Sequence, residues 1–213
     1  MEPYGVWEEF LVHPATDALI VTDVQNDFCS GGALAVPEGD EVVSPANALM
    51  DEFAVVVLTQ DWHTPDHLSF ASQHPGKSPH ETVQMPYGTQ VLWPDHCVQG
   101  SRGAELHPEL RTDRAQLVIR KGFRRAIDSY STFYENDHTT PTGLTGYLRE
   151  RGVKNVTIVG LATDFCVYFS AVDAVKMGFE VRVLEHACRG IDVHGSLAAA
   201  RESMRSAGVR LEA

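Results

Sequence analysis

Residues 156–177 read VTIVGLATDFCVYFSAVDAVKM, and this stretch decides the fold. Its first four residues, 156–159, form an apolar, β-branched run, the signature of a buried strand. Gly160 ends the run. Thr163 or Asp164 can then cap a helix that carries Val167, Ala171, Ala174 and Val175 at helical spacing. Cys166 therefore falls in the first turn of a helix that begins at the carboxyl end of a strand. Unpaired backbone N–H groups and the positive end of the helix dipole favour a thiolate there, and the same N–H groups can hold an oxyanion. Read alone, the residue is more often a small buried hydrophobe than a nucleophile.

The pattern repeats in both directions along the chain. Apolar strands are expected at residues 18–21, 54–58, 117–120, 180–184 and 209–211, with helices at 40–53, 141–151 and 194–206. Strands that alternate with helices imply βαβ units. The expected class is α/β, with three layers (α/β/α) around a mostly parallel central sheet. Residues 1–17 read as an extension with Trp7 and Phe10 as anchors, and 18–213 as one domain. Residues 62–103 read as a long loop, ordered by Phe70, Tyr87 and Trp93. Residues 123–140 read as a second polar loop. The chain shows no internal repeat.

Composition narrows the class of function. The formal net charge is −12 with no basic stripe, which argues against nucleic acid or an anionic membrane as partner. No apolar run approaches membrane-spanning length, and the amino terminus lacks the basic and apolar regions of a signal peptide. Cys29, Cys97, Cys166 and Cys188 are widely spaced, which points to free thiols and a reducing cytoplasm. A small-molecule substrate is expected, and a homo-oligomer is left open. Ten histidines are many for 213 residues, and His63, His67, His74, His80 and His96 crowd one third of the chain.

In parallel α/β sheets the site lies beyond the carboxyl ends of the strands. Asp23 follows the first strand, Asp61 and His63 the second, Lys121 the third and Cys166 the fourth, so all five should meet at one sheet edge. Asp23, Lys121 and Cys166 form a plausible nucleophile set. An ammonium favours the thiolate, and a carboxylate can take the thiol proton and return it to a leaving amine. Asp61 and His63, two residues apart on extended chain, can face one ion such as zinc, iron or manganese. His96 is the natural third ligand and His67 its competitor.

Residues 21–28 (VTDVQNDF), 59–63 (TQDWH), 93–100 (WPDHCVQG), 121–122 (KG) and 160–167 (GLATDFCV) together resemble the nicotinamidase branch of the isochorismatase-like cysteine hydrolase superfamily, over about residues 18–211. The resemblance implies an isochorismatase-like, Rossmann-like hydrolase fold. It also implies hydrolysis of nicotinamide to nicotinate and ammonia, with pyrazinamide as a further substrate and a role in NAD salvage. Asp23, Lys121 and Cys166 match the catalytic triad, and Asp61, His63 and His96 match the ligands of one divalent metal, zinc first, with iron or manganese as alternatives. Phe28, Trp93 and Tyr130 would line the ring site. A non-proline cis peptide at Leu161–Ala162 would aim the Ala162 N–H, with that of Cys166, at the oxyanion. The rival expectations are another amidase of the superfamily, acting on a carbamoyl or ureido group, and a non-catalytic binding protein on the same fold.

Overall fold

The computed structural model describes residues 16–213; the expected extension and its anchors Trp7 and Phe10 lie outside the described residues. Six strands form one sheet in the order β5-β2-β1-β6-β7-β8. They are β1 (Asp17–Thr22), β2 (Val55–Asp61), β5 (Leu117–Lys121), β6 (Asn155–Leu161), β7 (Glu180–Arg189) and β8 (Arg210–Glu212). Every pairing in it is parallel. Helices α1 (Val43–Leu49), α2 (Leu144–Glu150), α3 (Tyr168–Lys176) and α4 (Ser196–Ser206) flank it. Every residue of β1 and β2 is buried, which is why these strands read as unbroken apolar runs rather than as alternating ones.

The strand order places a switch point at the centre of the sheet. From β1 the chain moves outward through β2 to β5, and from β6 it moves the other way through β7 to β8. A crevice opens beyond the carboxyl ends of strands at such a point, here between β1 and β6. Thr22 pairs with Gly160 across it. Gly160 has φ +111°, and a Cβ there would strike the Thr22 carbonyl oxygen, so the close approach of the two strands requires glycine.

Several expected elements change in extent. The helix over 40–53 is a 3₁₀ turn, Gly39–Val42, followed by α1, with Pro45 in the first turn of α1, where its missing N–H costs nothing. The helix over 141–151 contracts to Leu144–Glu150, and the strand over 180–184 extends to Arg189. The long loop over 62–103 contains an antiparallel hairpin, β3 (Thr82–Met85) and β4 (Gly88–Val91). Its two strands are only four residues long and are separated by Pro86 and Tyr87, so the alternation of Val83 and Met85 is too short to stand out as a strand. Among the described residues, no helix is long and apolar enough to cross a membrane.

The helix start at Cys166 is built differently from the sequence expectation. Residues Thr163–Val167 form one π-helical turn ahead of α3, and neither Thr163 nor Asp164 caps it through its side chain. The Ala162 carbonyl accepts hydrogen bonds from the Phe165 and Val167 N–H groups instead. The Asp164 carboxylate turns away and accepts from the Ile191 and Asp192 N–H groups, both at 2.9 Å, and from the Ser196 hydroxyl. The Leu161–Ala162 peptide is cis.

Candidate active site

Lys121 is the hub. Its side chain is fully buried, and its ammonium lies 2.8 Å from Asp23 Oδ2 and 2.5 Å from Asp61 Oδ1. It also donates to the Ser129 carbonyl at 2.8 Å and reaches Cys166 Sγ at 3.4 Å. Register explains part of this: Asp61 and Lys121 are partners across β2 and β5. Asp23 follows β1 at φ +46°. Its backbone N–H donates to Thr59 Oγ1, whose hydroxyl in turn donates to Asp23 Oδ1 at 2.5 Å. Asp23 Oδ2 faces the Lys121 ammonium at 2.8 Å and, among the described residues, contacts no other donor.

The electrostatics set the resting protonation. Burial raises the Cys166 thiol well above its ordinary value. Lys121 opposes that shift, while the charges of Asp23 and Asp61 add to it. The resting nucleophile is therefore a thiol, contrary to the expectation from a helix start, because burial and two carboxylates outweigh one ammonium and a short dipole. Burial also raises Asp23 against the pull of Lys121. A carboxylate with a raised proton affinity is suited to shuttling a proton. For Lys121, burial alone would favour the neutral amine, but Asp23 and Asp61 hold it as an ammonium.

A second group sits on the other side of Asp61. His63 donates from Nδ1 to the Gly122 carbonyl at 2.8 Å, and His96 from Nδ1 to the Pro94 carbonyl at 2.8 Å. Those bonds set both tautomers and leave the Nε2 lone pairs facing inward. Asp61 Oδ2 lies 3.6 Å from His63 Nε2 and 3.9 Å from His96 Nε2. The three donor atoms lie within 4.8 Å of one another, all on buried residues, and His63 Nε2 has no hydrogen-bond partner. Two imidazoles, one carboxylate and an orphaned inward-facing nitrogen fit a divalent cation. Gly122 is part of this arrangement: its φ is +65°, and a Cβ would fall 2.5 Å from His63 Cε1.

His67 is packed beside His63, with ring centroids 4.4 Å apart. It accepts at Nδ1 from the Ser69 N–H at 3.3 Å. Its Nδ1 also lies 2.7 Å from the Ser69 hydroxyl, and its Nε2, like that of His63, has no hydrogen-bond partner. In a second cluster, Cys29, Asp40 and His107, the histidine is committed elsewhere. His107 accepts at Nδ1 from the Glu109 N–H, so its Nε2 hydrogen points at Asp40 Oδ1, 3.4 Å away.

Between the thiol and the histidines lies a largely apolar pocket. Phe28, Trp93 and Tyr130 line it as expected, together with Ala162, Cys166, Asp61 and His96. Phe28 packs edge-on to His96, with centroids 5.5 Å apart. The Trp93 indole N–H donates to the Tyr130 hydroxyl at 3.1 Å. The structure adds Leu34, Phe165, Ile191 and Asp128, which sequence reasoning missed. Phe165 was legible from its place beside Cys166. Ile191 was not, because it belongs to no periodic element and enters only through the Asp164 clamp.

A thiol, a lysine and a carboxylate gathered at the switch point of a parallel sheet, beside a His–His–Asp donor set, define a cysteine hydrolase of the isochorismatase-like class. The family profile described as Isochorismatase domain matches residues 17–212, and the chain belongs to that family, in its nicotinamidase branch. It is 56% identical to a nicotinamidase of Acinetobacter baylyi over 193 residues, which span 91% of this chain and 90% of that protein. A solved nicotinamidase/pyrazinamidase of Acinetobacter baumanii superposes with a TM-score of 0.93 at 56% identity, covering 94% of this chain and 97% of that one. A pyrazinamidase of Pyrococcus horikoshii, solved in complex with zinc, superposes with a TM-score of 0.73 at 38% identity, covering 92% and 97%.

Proposed function

We propose that this chain hydrolyses nicotinamide to nicotinate and ammonia, accepts pyrazinamide as well, and serves NAD salvage in the cytoplasm. It does so as one domain, residues 18–213, behind an extension over 1–17. The observation that carries the reading is Lys121. One ammonium touches the base Asp23, the nucleophile Cys166 and the metal-facing Asp61, and so ties the reacting end of the pocket to the anchoring end.

Asp23 takes the thiol proton. Lys121, 3.4 Å from the sulfur, stabilises the thiolate as it forms. Sγ attacks the amide carbon, and the backbone N–H groups of Ala162 and Cys166 receive the negative oxygen. Asp23 then gives its proton to the departing amine, so ammonia leaves and a Cys166 thioester remains. Water adds to the thioester carbon, Asp23 accepts its proton, and the C–S bond breaks to release the acid and restore the thiol. Phe28, Trp93 and Tyr130 hold the ring and keep bulk water out. Asp61, His63 and His96 would hold the cation, zinc first, with iron or manganese as alternatives. When bound, it supplies a Lewis acid that anchors the ring nitrogen and polarises water.

The test is ammonia release from nicotinamide by metal-replete protein, beside a carbamoyl amide, with Cys166→Ala as control. Release from nicotinamide that disappears in the variant while metal content is unchanged is the expected result. Release from the carbamoyl amide alone would move the chain to another amidase branch, and turnover by the variant would end the thioester mechanism.

A further inference from the structure

Asp128 is a buried carboxylate in the pocket wall that the mechanism above does not use. Its Oδ1 accepts from the Ser129 N–H at 2.7 Å, and its Oδ2 from the Gln90 amide at 2.9 Å. The Gln90 orientation is set from behind, because its Oε1 accepts from the Tyr87 hydroxyl and the Asn136 amide. Asp128 is thus held in place by neutral donors. Among the described residues, the one chargeable basic group within 4.0 Å of it is His63, whose unpartnered Nε2 lies 4.0 Å from Oδ1.

A buried carboxylate facing no ammonium or guanidinium is costly. The cost extends to the whole site. Asp23, Asp61 and Asp128 stand against Lys121 alone. With neutral histidines the formal charge is −2, whichever of Asp23 and Cys166 holds the shared proton. That is the complement of one divalent cation. Asp128 shares a 4.8 Å donor group with His63 and His67 but not with Asp61 and His96. It therefore stands outside the Asp61–His63–His96 set of donors.

We propose that Asp128 is an outer-sphere residue of the metal site, a buried carboxylate that stabilises the cation without ligating it and makes the site select a divalent ion. The inference rests on the metal reading given above. Partners of this kind typically change metal affinity by roughly 10–100-fold.

The test is Zn²⁺ titration of metal-free protein, with affinity read by competition against a chelating dye. Wild type binding no divalent ion would end the metal reading itself. Given wild-type binding, Asp128→Asn is expected to weaken Zn²⁺ by roughly 10–100-fold. Gln90→Met breaks the same hydrogen bond but keeps the carboxylate, and is expected to stay within about 3-fold of wild type. Equal losses in both variants would make Asp128 a merely structural residue and overturn the proposal, as would unchanged affinity in Asp128→Asn. If that variant does not fold, Asp128→Ser replaces it, since its hydroxyl can both donate and accept in the same network, and the same two outcomes decide.

Discussion

Lys121 and Asp61 are register partners on adjacent parallel strands, and their side chains meet at 2.5 Å with Lys121 fully buried. Removing the ammonium leaves Asp23 and Asp61 as uncompensated buried carboxylates. Lys121→Met is expected to abolish hydrolysis and to destabilise the fold by about 3–5 kcal/mol. Urea denaturation of the two proteins checks the second figure. Wild-type stability in the variant would mean that the site tolerates its negative charge unaided.

His96→Ala removes one of the two inward-facing imidazoles. The expected outcome is loss of stoichiometric metal together with a raised KM for nicotinamide. Elemental analysis after dialysis measures the first. Full occupancy in the variant would make His67 the third ligand.

Asp164 holds the 190–196 loop through two backbone N–H groups and the Ser196 hydroxyl, and that loop delivers Ile191 to the pocket. Asp164→Ala is expected to lower stability by about 1.5–3 kcal/mol, the scale of hydrogen bonds to a charged group. It should also raise KM more than it lowers kcat, since Cys166 itself is not displaced. A fall in kcat at unchanged KM would contradict this.

Burial, aided by Asp40, pushes the Cys29 thiol up to about 12, and burial pushes Cys188 up to about 12. The reactive thiolate of each grows only as pH approaches that value. Iodoacetamide at pH 8 is therefore expected to leave both unlabelled in the native protein, while urea-unfolded chains label at all four cysteines. Mass spectrometry of the digested protein reads the pattern, and rapid native labelling of Cys188 would show that its burial is not maintained.

Much of this was legible without coordinates. The apolar runs before Asp23, Asp61, Lys121 and Cys166 located four strand ends, and the rule for parallel α/β sheets brought their chemistry to one edge. The cluster of Asp61, His63 and His96 was legible from alternation and motif. The β3–β4 hairpin was not, because two four-residue strands on either side of Pro86 and Tyr87 are too short for their alternation to stand out.

By itself, then, the amino-acid sequence determined the family, the parallel sheet and the identities of the groups at its carboxyl edge, since these depend on local periodicity and on motifs a few residues long. The tertiary structure decided what those groups become. That Cys166 rests as a thiol and that one ammonium serves two carboxylates depend on burial and on contacts such as Lys121 with Asp23 and Asp61, far apart along the chain. The places of Asp128 and Ile191 in the pocket depend on loops whose path no periodicity encodes. Distance and desolvation arise only when the chain closes on itself, and they set the charge states on which the chemistry depends.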